Sequence, residues 1–369
     1  MPPLRILHIY PKQDYFTGAA IQLRELAWGL AARGHDVVVA TRPSPAWAAK
    51  TREAGLTHYE IPMRSEVDLP SARALVRILR RHRVQVVHAH KGRARTLALM
   101  AGLFVRIPAL VLHRGVSFTL DPFNRLGYAT RRVHAIIAVC ESIKRGLVAR
   151  GIPPGKVEVM YPSVDTDLFH PAIDGSAIRK ELGLGPEDFL VTQIGQRSWK
   201  GNDDVVDAMA LVVGKAPHVR LLVVGTRKPA LITDRARERA IGGHVRTLGY
   251  RDDVPQILAA SDCCIDASWQ GLGLTGTLPE ALAVGRPVLG SNLEGHPEVV
   301  LPGTTGYLFE PRDVAGIAEA ILALVADPER ARAMGRAGRE LVLREFATSV
   351  RVERTEALYR RLLARDARS

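Results

Sequence analysis

The sequence predicts two α/β domains, each built on a doubly wound parallel sheet. A chain of 369 residues is too long for one compact core. Short apolar runs rich in Val, Ile and Leu alternate with segments of helical periodicity, as expected when helices cover both faces of a parallel sheet. This alternation starts a second time near residue 190, after a segment rich in Pro, Gly and Asp. Two sheets, and therefore two domains, account for the pattern.

The predicted strands fall into two series. The first series comprises residues 4–10, 37–41, 84–88, 109–113, 135–139 and 157–161, and the second comprises residues 190–195, 219–225, 245–248, 263–267, 287–289 and 306–309. The intervening Pro- and Gly-rich stretch is typical of an interdomain hinge. We therefore expect an N-terminal domain at 1–165, a hinge at 166–188, a C-terminal domain at 189–346 and a helical tail at 347–369 that packs back on the N-terminal domain.

The positive charge of the chain is concentrated in the first predicted domain. The net charge is +13, and residues 1–165 hold 25 Lys and Arg against 11 Asp and Glu, while the remaining residues hold 26 against 27. An anionic partner, such as a membrane surface or a phosphorylated substrate, is one explanation, and an ordinary solvated arginine surface is the other. Nucleic acid is disfavoured because aromatic residues do not interleave the basic ones.

The basic residues form a stripe on a predicted helix at 71–83. Arginines 73, 77, 80 and 81 share one face of this helix, and further basic residues follow it, namely Lys91, Arg93, Arg95 and Arg106. The sequence contains no run of about 20 uncharged apolar residues, the length that a membrane-spanning helix needs. Three cysteines cannot form an even disulfide framework. We expect a cytoplasmic protein that can contact the inner face of a membrane through this stripe.

Two loops that follow predicted strands carry candidate anion-binding residues. The first is the loop containing Gly195, Arg197 and Lys200, at the end of strand 190–195. Ligands of open α/β sheets bind at the carboxyl ends of strands, and two cations there could clamp a diphosphate. Ordinary surface charge is the competing interpretation. A weaker candidate is Gly18, in a small-residue turn that opens a helix and so offers free N–H groups.

The second loop, residues 268–281, is rich in Gly and Thr and leads into a helix. Its backbone N–H groups suit a phosphate, and Glu280 in the first helical turn could accept hydrogen bonds from ribose hydroxyls, with helix capping as the alternative. The candidate donor-binding residues of this region are Gln270, Gly273, Leu274, Thr275, Gly276, Thr277 and Glu280, with Tyr250 from the loop after strand 245–248.

The sequence gives little indication of a metal site. Asp165, Thr166 and Asp167 form an Asp-x-Asp triplet, but it lies in the predicted hinge, where Asp-rich turns are common. Cysteine and histidine are not clustered at a zinc spacing along the chain. We therefore expect neither a metal nor a cofactor.

Several separate segments resemble, in order, the family-four retaining glycosyltransferases of GT-B fold, a fold of two Rossmann-like domains facing across a cleft. The resemblance covers nearly the whole chain. It is carried by Gly18, by residues 31–37 (Ala-Ala-Arg-Gly-His-Asp-Val), by the interdomain segment 155–169, by Arg197, Lys200 and Gly201, by Glu280 and Ala281, by residues 285–288 (Gly-Arg-Pro-Val), by residues 295–299 (Gly-His-Pro-Glu-Val) and by residues 303–308.

This resemblance implies transfer of a sugar from a nucleotide-diphosphate donor with retention of configuration and without a divalent metal. The departing diphosphate would help to deprotonate the acceptor hydroxyl, and His113 would approach the donor sugar. An ordinary loop histidine is the alternative, and His88 and His90 compete for the role. Arg197 and Lys200 would stabilise the leaving group. An anionic glycan or a lipid-linked acceptor of cell-envelope or lipopolysaccharide synthesis would follow.

The chain departs from the family pattern in two places. The family usually has two glutamates eight positions apart, but Leu272 stands eight residues before Glu280, and the best match to the first glutamate is Gln270, ten residues before it. The spacing from Arg197 to Lys200 is also shorter than usual. A non-catalytic nucleotide-sugar-binding subunit and a nucleotide-sugar epimerase of the same fold therefore stay open as alternatives.

Overall fold

A computed structural model describes residues 2–117, 122–270 and 273–367. The chain divides into two compact units: unit 1 comprises Met1–Ser163 and Thr348–Ser369, and unit 2 comprises Val164–Ala347. Unit 2 includes the segment 166–188 that the sequence predicts to be a hinge. Within unit 2, Ile178 and Leu182 of this segment are buried in a cluster with Leu190 and Ile257.

Unit 1 is a seven-stranded parallel sheet with helices on its faces. Its strands are β1 (Arg5–Tyr10), β2 (Asp36–Thr41), β3 (Thr57–Glu60), β4 (Val86–His90), β5 (Ala109–Arg114), β6 (Ala135–Ala138) and β7 (Val157–Val159). Its helices are α1 (Gly18–Ala32), α2 (Pro45–Glu53), α3 (Leu69–Arg81), α4 (Gly92–Ala101), α5 (Pro122–Ala129), α6 (Glu141–Val148) and, from the C-terminus, α14 (Thr348–Asp366). The strand order is β3-β2-β1-β4-β5-β6-β7.

Unit 2 repeats this architecture with six parallel strands. They are β8 (Phe189–Ile194), β9 (Val219–Val224), β10 (Val245–Leu248), β11 (Cys263–Asp266), β12 (Val288–Ser291) and β13 (Gly306–Phe309), in the order β10-β9-β8-β11-β12-β13. The helices are α7 (Ser176–Glu181), α8 (Asn202–Val213), α9 (Pro229–Glu238), α10 (Val254–Ala260), α11 (Thr277–Ala283), α12 (Val314–Ala326) and α13 (Pro328–Leu341). Short 3₁₀ turns and one π-helical turn, Val342–Phe346, complete it.

The predicted fold class, two doubly wound parallel α/β sheets, is confirmed. Each of the twelve predicted strands corresponds to an observed one within about three residues at either end, a margin usual for element boundaries. The sequence prediction lacked β3. This strand is a four-residue edge strand whose side chains are half-buried or exposed, so it has no apolar run to reveal it.

The C-terminal helix α14 is part of the core of unit 1. Its Val352, Leu358 and Tyr359 are buried in the same cluster as Leu23 and Leu26 of α1. A cation from α14 is buried with them: Arg351 donates from Nη1 to the backbone oxygen of Gln22 at 2.9 Å. Burial of the apolar side chains of α14 explains why this terminal segment is a well-formed helix.

Candidate active site

The carboxyl edge of the unit 2 sheet is shaped by a glycine. Gly201, at the end of the loop after β8, has a positive φ of 63°, and a Cβ placed there would lie 2.2 Å from the backbone oxygen of Ala267. Only glycine tolerates both conditions. The loop after β8 therefore lies directly against the end of β11, and Trp269 N donates to the backbone oxygen of Trp199 at 2.9 Å.

Asp266, the last residue of β11, joins two of the loops that the sequence singles out. Its Oδ2 accepts from Lys200 Nζ at 2.7 Å and from Thr275 Oγ1 at 3.0 Å, while Oδ1 accepts from the backbone N–H of Ser268 at 3.1 Å. Lys200 and Asp266 are both buried. Burial acts to raise the pKa of Asp266, but the Lys200 ammonium and these hydrogen bonds hold that pKa below its usual range. The pair is therefore charged at neutral pH.

A cavity of about 450 Å³ opens beside the loop after β8. Four cationic side chains line it, and two acidic residues of the first turn of α8 also contribute: Arg197, Arg227, Lys228 and Arg312, with Asp203 and Asp204. The guanidinium carbon of Arg312 lies 4.2 Å from the ring centroid of Trp269, a cation–π contact. The excess of positive charge and the aromatic ring suit an anionic ligand that carries a planar group.

Gln196 connects the two loops that carry these cations. Its Oε1 accepts from the backbone N–H groups of Arg227 and Lys228 at 2.9 and 2.8 Å, and its Nε2 donates to the backbone oxygen of Lys228 at 2.8 Å. The exposed Arg197 follows it in the chain, with Nη1 on the Gln196 carbonyl at 2.9 Å. The loops after β8 and β9 are thus fixed relative to each other at the edge of the cavity.

The remaining predicted donor residues lie in the loop before α11 or in its first turn, except for Tyr250, which follows the edge strand β10. Gly276 caps this helix, and a Cβ on Gly276 would lie 3.3 Å from Glu280 Oε1, so the Glu280 carboxylate turns back toward the helix start. Gly273 donates its N–H to Glu294. Of the other predicted residues, Leu274 is buried, Thr275 and Thr277 are half-buried, Gln270 and Tyr250 are exposed, and the neighbours Gly271 and Leu272 lie outside the described residues.

In unit 1, the predicted residue His113 lies among three other histidines. In the sheet His8 is opposite His88 and His90 is opposite His113, so all four share one face at the carboxyl edge. His8 Nδ1 lies 3.1 Å from His90 Nε2, and the rings of His88 and His90 stack with centroids 4.3 Å apart. His88 Nδ1 lies 2.6 Å from the hydroxyl of Tyr359. Sequence spacing did not indicate this cluster because it is assembled from three strands.

These histidines are neutral at physiological pH. Burial, with a further contribution from the charge of Arg351, lowers the pKa of His8 and of His113 to about 3. Burial likewise lowers the pKa of His88 and His90 well below the ordinary histidine value. The cluster therefore presents uncharged nitrogen atoms, which can donate or accept single hydrogen bonds.

The other residues of unit 1 that the sequence singles out are not part of the histidine cluster. Gly18 begins α1, and a Cβ there would meet nothing within 4 Å, so close packing does not require glycine. Arginines 73, 77, 80 and 81 are exposed on α3, as predicted, and we call them the α3 basic surface. The prediction that Arg95 adds to this surface is wrong: Arg95 is buried, with its guanidinium 4.9 Å from the Tyr128 ring centroid.

Three residues of this site are not among the sequence-based predictions, namely Asp266, Arg227 and Lys228. Asp266 was assigned to an apolar strand, and nothing in the sequence marks it as the partner of Lys200. Arg227 and Lys228 carry a usable signal, because they follow the predicted strand 219–225 in the same way that Arg197 follows strand 190–195. A search for cations at the end of every predicted strand would have included them.

Family profiles match both halves of the chain. The profile described as Glycosyltransferase Family 4 matches residues 16–168, and the profile described as Glycosyl transferases group 1 matches residues 189–327. The two matches together cover most of the chain, and each falls mainly within one of the two units.

Individual relatives match over nearly full length. The chain is 27% identical over 365 residues to N-acetyl-alpha-D-glucosaminyl L-malate synthase of Bacillus anthracis. The aligned region covers 95% of this chain and 95% of that one. It is 29% identical over 345 residues to a GDP-mannose-dependent monoacylated alpha-(1-6)-phosphatidylinositol monomannoside mannosyltransferase of Corynebacterium glutamicum, covering 86% of this chain and 88% of that one. The solved structure of Anabaena HepE in complex with UDP superimposes with a TM-score of 0.86 at 20% identity, covering 96% and 99% of the two chains.

Proposed function

Because the chain belongs to the glycosyltransferases of group 1 and family 4, and is therefore an enzyme that uses a sugar-nucleotide donor, we propose that it transfers the sugar with retention of configuration to a glycan or lipid-linked acceptor of the cell envelope. Unit 2 binds the donor in this proposal. No divalent ion takes part in the transfer step.

The observation that carries the proposal is the position of Asp266. Its carboxylate holds both Lys200 and Thr275, from the two loops that the sequence selects for a diphosphate. Lys200 has three N–H donors, and one is directed to Asp266, so the remaining donors can bind phosphate oxygens from a fixed position. A preorganised cation stabilises the charge that develops on the diphosphate as the sugar–phosphate bond breaks.

The cavity beside the loop after β8 provides the other contacts to the donor. Arg197 reaches the diphosphate from the exposed rim, and Arg227 and Lys228 add positive charge from the neighbouring loop. Glu280 accepts from the ribose hydroxyls. In this proposal the backbone N–H groups near Gly195 and Gly276, together with Thr277, bind phosphate oxygens. Four cations in place of a metal ion neutralise the leaving group.

His113 contacts the donor sugar near the reacting carbon in this proposal. Its ring is neutral, and its Nδ1 is buried without a hydrogen-bond partner among the described residues. A neutral imidazole can donate to or accept from a sugar hydroxyl without adding a charge beside the developing oxocarbenium ion. The acceptor oxygen attacks the sugar carbon as the sugar–phosphate bond breaks, and its proton goes to the departing diphosphate, so the protein need not supply a general base.

A lipid-linked acceptor is supported by the surface of unit 1. Leu103 and Phe104 are 61% and 63% exposed after α4, and the α3 basic surface reaches them through Arg80 Nη2, which donates to the Phe104 oxygen at 3.1 Å. Exposed apolar side chains beside arginines suit the interface of an anionic bilayer. None of the helices in the described part of the chain could span a membrane. The Corynebacterium relative is named for a phosphatidylinositol-based acceptor.

The decisive experiment is a donor and product assay. Purified protein is incubated with UDP-, GDP-, ADP- and dTDP-sugars and with phosphate-bearing lipids and glycans, with and without EDTA, and products are identified by mass spectrometry and by NMR of the anomeric proton. We expect nucleoside diphosphate to form only when an acceptor is present, unchanged by EDTA, with the anomeric configuration of the donor kept. Inversion, or complete loss of turnover in EDTA, would contradict the corresponding part of the proposal.

Flotation on liposomes tests the acceptor side. We expect the protein to float with vesicles that contain anionic phospholipid and not with neutral phosphatidylcholine vesicles. The Phe104→Ser variant should lose flotation, while Leu211→Ser, an exposed leucine of unit 2, should float as the wild type does. Equal flotation on neutral and anionic vesicles would remove the charge-based part of the idea.

A further inference from the structure

The histidine cluster of unit 1 has the composition and spacing of a metal site. His8 on β1 and His88 and His90 on β4 each offer one ring nitrogen, and these atoms lie within 4.8 Å of one another. His8 Nδ1 and His90 Nε2 lie 3.1 Å apart in a hydrogen bond, which a bound ion would replace. Tetrahedral zinc with Zn–N bonds of about 2.0–2.1 Å places its ligand nitrogens about 3.3 Å apart, so small ring movements would complete the set.

The second observation is that several ring nitrogens in this cluster have no partner. Within the described chain, Nε2 of His8, Nε2 of His88 and Nδ1 of His113 are buried and make no hydrogen bond. Buried polar atoms in proteins are normally satisfied, and each exception needs an explanation. The unpartnered Nε2 of His88, in a group of three histidines that each offer a nitrogen within 4.8 Å of the others, is explained if it binds a cation.

The surroundings of His88 match those of a metal ligand. Its Nδ1 lies 2.6 Å from the hydroxyl of Tyr359, while its Nε2 is unpartnered. Metal-bound histidines commonly use one nitrogen for the metal and the other for a hydrogen bond that fixes the ring. With Nδ1–H donating to Tyr359, the Nε2 lone pair is held in the orientation that a ligand needs.

We propose that His8, His88 and His90 bind a divalent transition-metal ion that prefers imidazole, such as Zn²⁺. Neutral nitrogen ligands without carboxylates select Zn²⁺, Cu²⁺ or Ni²⁺ over Mg²⁺ or Ca²⁺. The sugar-transfer step proposed above makes no use of this ion.

Nearby positive charge lowers the metal affinity that we expect of the site. Arg351 is buried within electrostatic range of all four histidines, and Lys91 of His113. Glu25 partly compensates the Arg351 charge. A divalent cation is therefore repelled more than it would be in an isolated three-histidine site, and we expect weaker affinity than a closed structural zinc site shows.

The test is zinc binding to the full-length, tag-free protein. Isothermal titration with ZnCl₂ should show one saturable site in the wild type, and Co²⁺ should give the intense visible absorption of a tetrahedral nitrogen-ligated ion. His88→Gln and His90→Gln should lose saturable binding. Tyr359→Phe, which removes only the oxygen that orients His88, should weaken binding about 10-fold. The matched control His218→Gln, an exposed histidine of unit 2, should bind as the wild type does.

Two results would overturn the proposal. One is the absence of saturable Zn²⁺ or Co²⁺ binding by the wild type, and the other is binding of unchanged affinity in variants of His88 and His90 that melt cooperatively by circular dichroism. If a histidine variant fails to fold, Tyr359→Phe and the cobalt spectrum of the wild type decide the question, because neither requires removal of a ligand.

Discussion

The two parallel sheets carry different chemistry at the same structural position, the carboxyl ends of their central strands. In unit 2, β11 ends in Asp266, whose charge is paired with Lys200. In unit 1, β1, β4 and β5 carry histidines toward their carboxyl ends, and burial keeps these histidines neutral. The first edge therefore carries a fixed pair of charges, whereas the second offers uncharged nitrogen atoms. One architecture thus supports a charged edge and a neutral, nitrogen-rich edge.

Among the substitutions that test this comparison, Asp266→Asn should have the largest effect. The substitution leaves the buried Lys200 ammonium without a counter-charge, and we expect a loss of about 3–5 kcal/mol in the free energy of unfolding of unit 2. The measurement is chemical denaturation of the full chain followed by tryptophan fluorescence, since Trp199 and Trp269 report on unit 2.

Two control variants sharpen that result. Asp266→Asn combined with Lys200→Met removes both charges and should recover most of the lost stability. His8→Asn, measured in EDTA so that no metal is bound, alters the equivalent edge of unit 1, where a hydrogen bond between neutral groups is lost, and should cost about 1 kcal/mol. If Asp266→Asn costs no more than His8→Asn, the contrast between a charged and a neutral edge is wrong.

The second effect is on catalysis. Lys200→Ala should lower kcat/KM by an amount equivalent to about 2–4 kcal/mol, because the leaving diphosphate loses a preorganised cation. Arg197→Ala should show a similar loss without a change in stability, since Arg197 is exposed and outside the buried pair. Steady-state kinetics with the donor identified by the screen provide the measurement.

Lys215→Ala is the matched control for Lys200→Ala, because Lys215 is an exposed lysine of the same unit after α8. It should have wild-type kinetics. Wild-type turnover in both Lys200→Ala and Arg197→Ala would remove these residues from the proposed mechanism, and a thermal melt of each variant separates loss of activity from loss of folding.

The architecture and part of the candidate site could be predicted from the sequence. The apolar runs reveal twelve strands because buried parallel strands are continuously hydrophobic, while β3 escaped detection because half of its side chains face solvent. Lys200 and Thr275 could be selected because each follows a strand. Asp266 could not, because its partner is 66 residues away and only the adjacency of β8 and β11 brings the two together.

The third effect concerns the pH dependence of unit 1. Burial acts to raise the pKa of Glu356, but Arg360, Arg33 and His35 lower it to about 2. A depressed carboxyl pKa contributes stability that is present above the unfolded value of about 4.5 and is lost as the pH falls toward 2. Arg33 is half exposed, so solvent screening reduces the contribution to the order of 1 kcal/mol.

The Glu356→Gln variant tests this assignment. Unfolding free energies of the wild type and the variant are compared at pH 7 and at several values down to pH 3. We expect the variant to be less stable at pH 7 and the difference to shrink as the solution is acidified. A constant difference across the whole range would show that Glu356 does not titrate between the folded and unfolded states as proposed.

The smallest effect should come from the rim of the unit 2 cavity. Arg312 packs over the Trp269 ring at an exposed position, and such a cation–π contact is worth about 0.5–1 kcal/mol. Arg312→Gln removes the charge and should weaken nucleoside diphosphate binding, measured by isothermal titration, a few-fold. Because the proposed anion site depends on summed charge as well as on Lys200, removing one of the four cavity cations should weaken binding without abolishing it. If affinity is unchanged in Arg312→Gln but weakened in Arg197→Ala, the anion binds at the loop after β8 and Arg312 does not contribute to its binding.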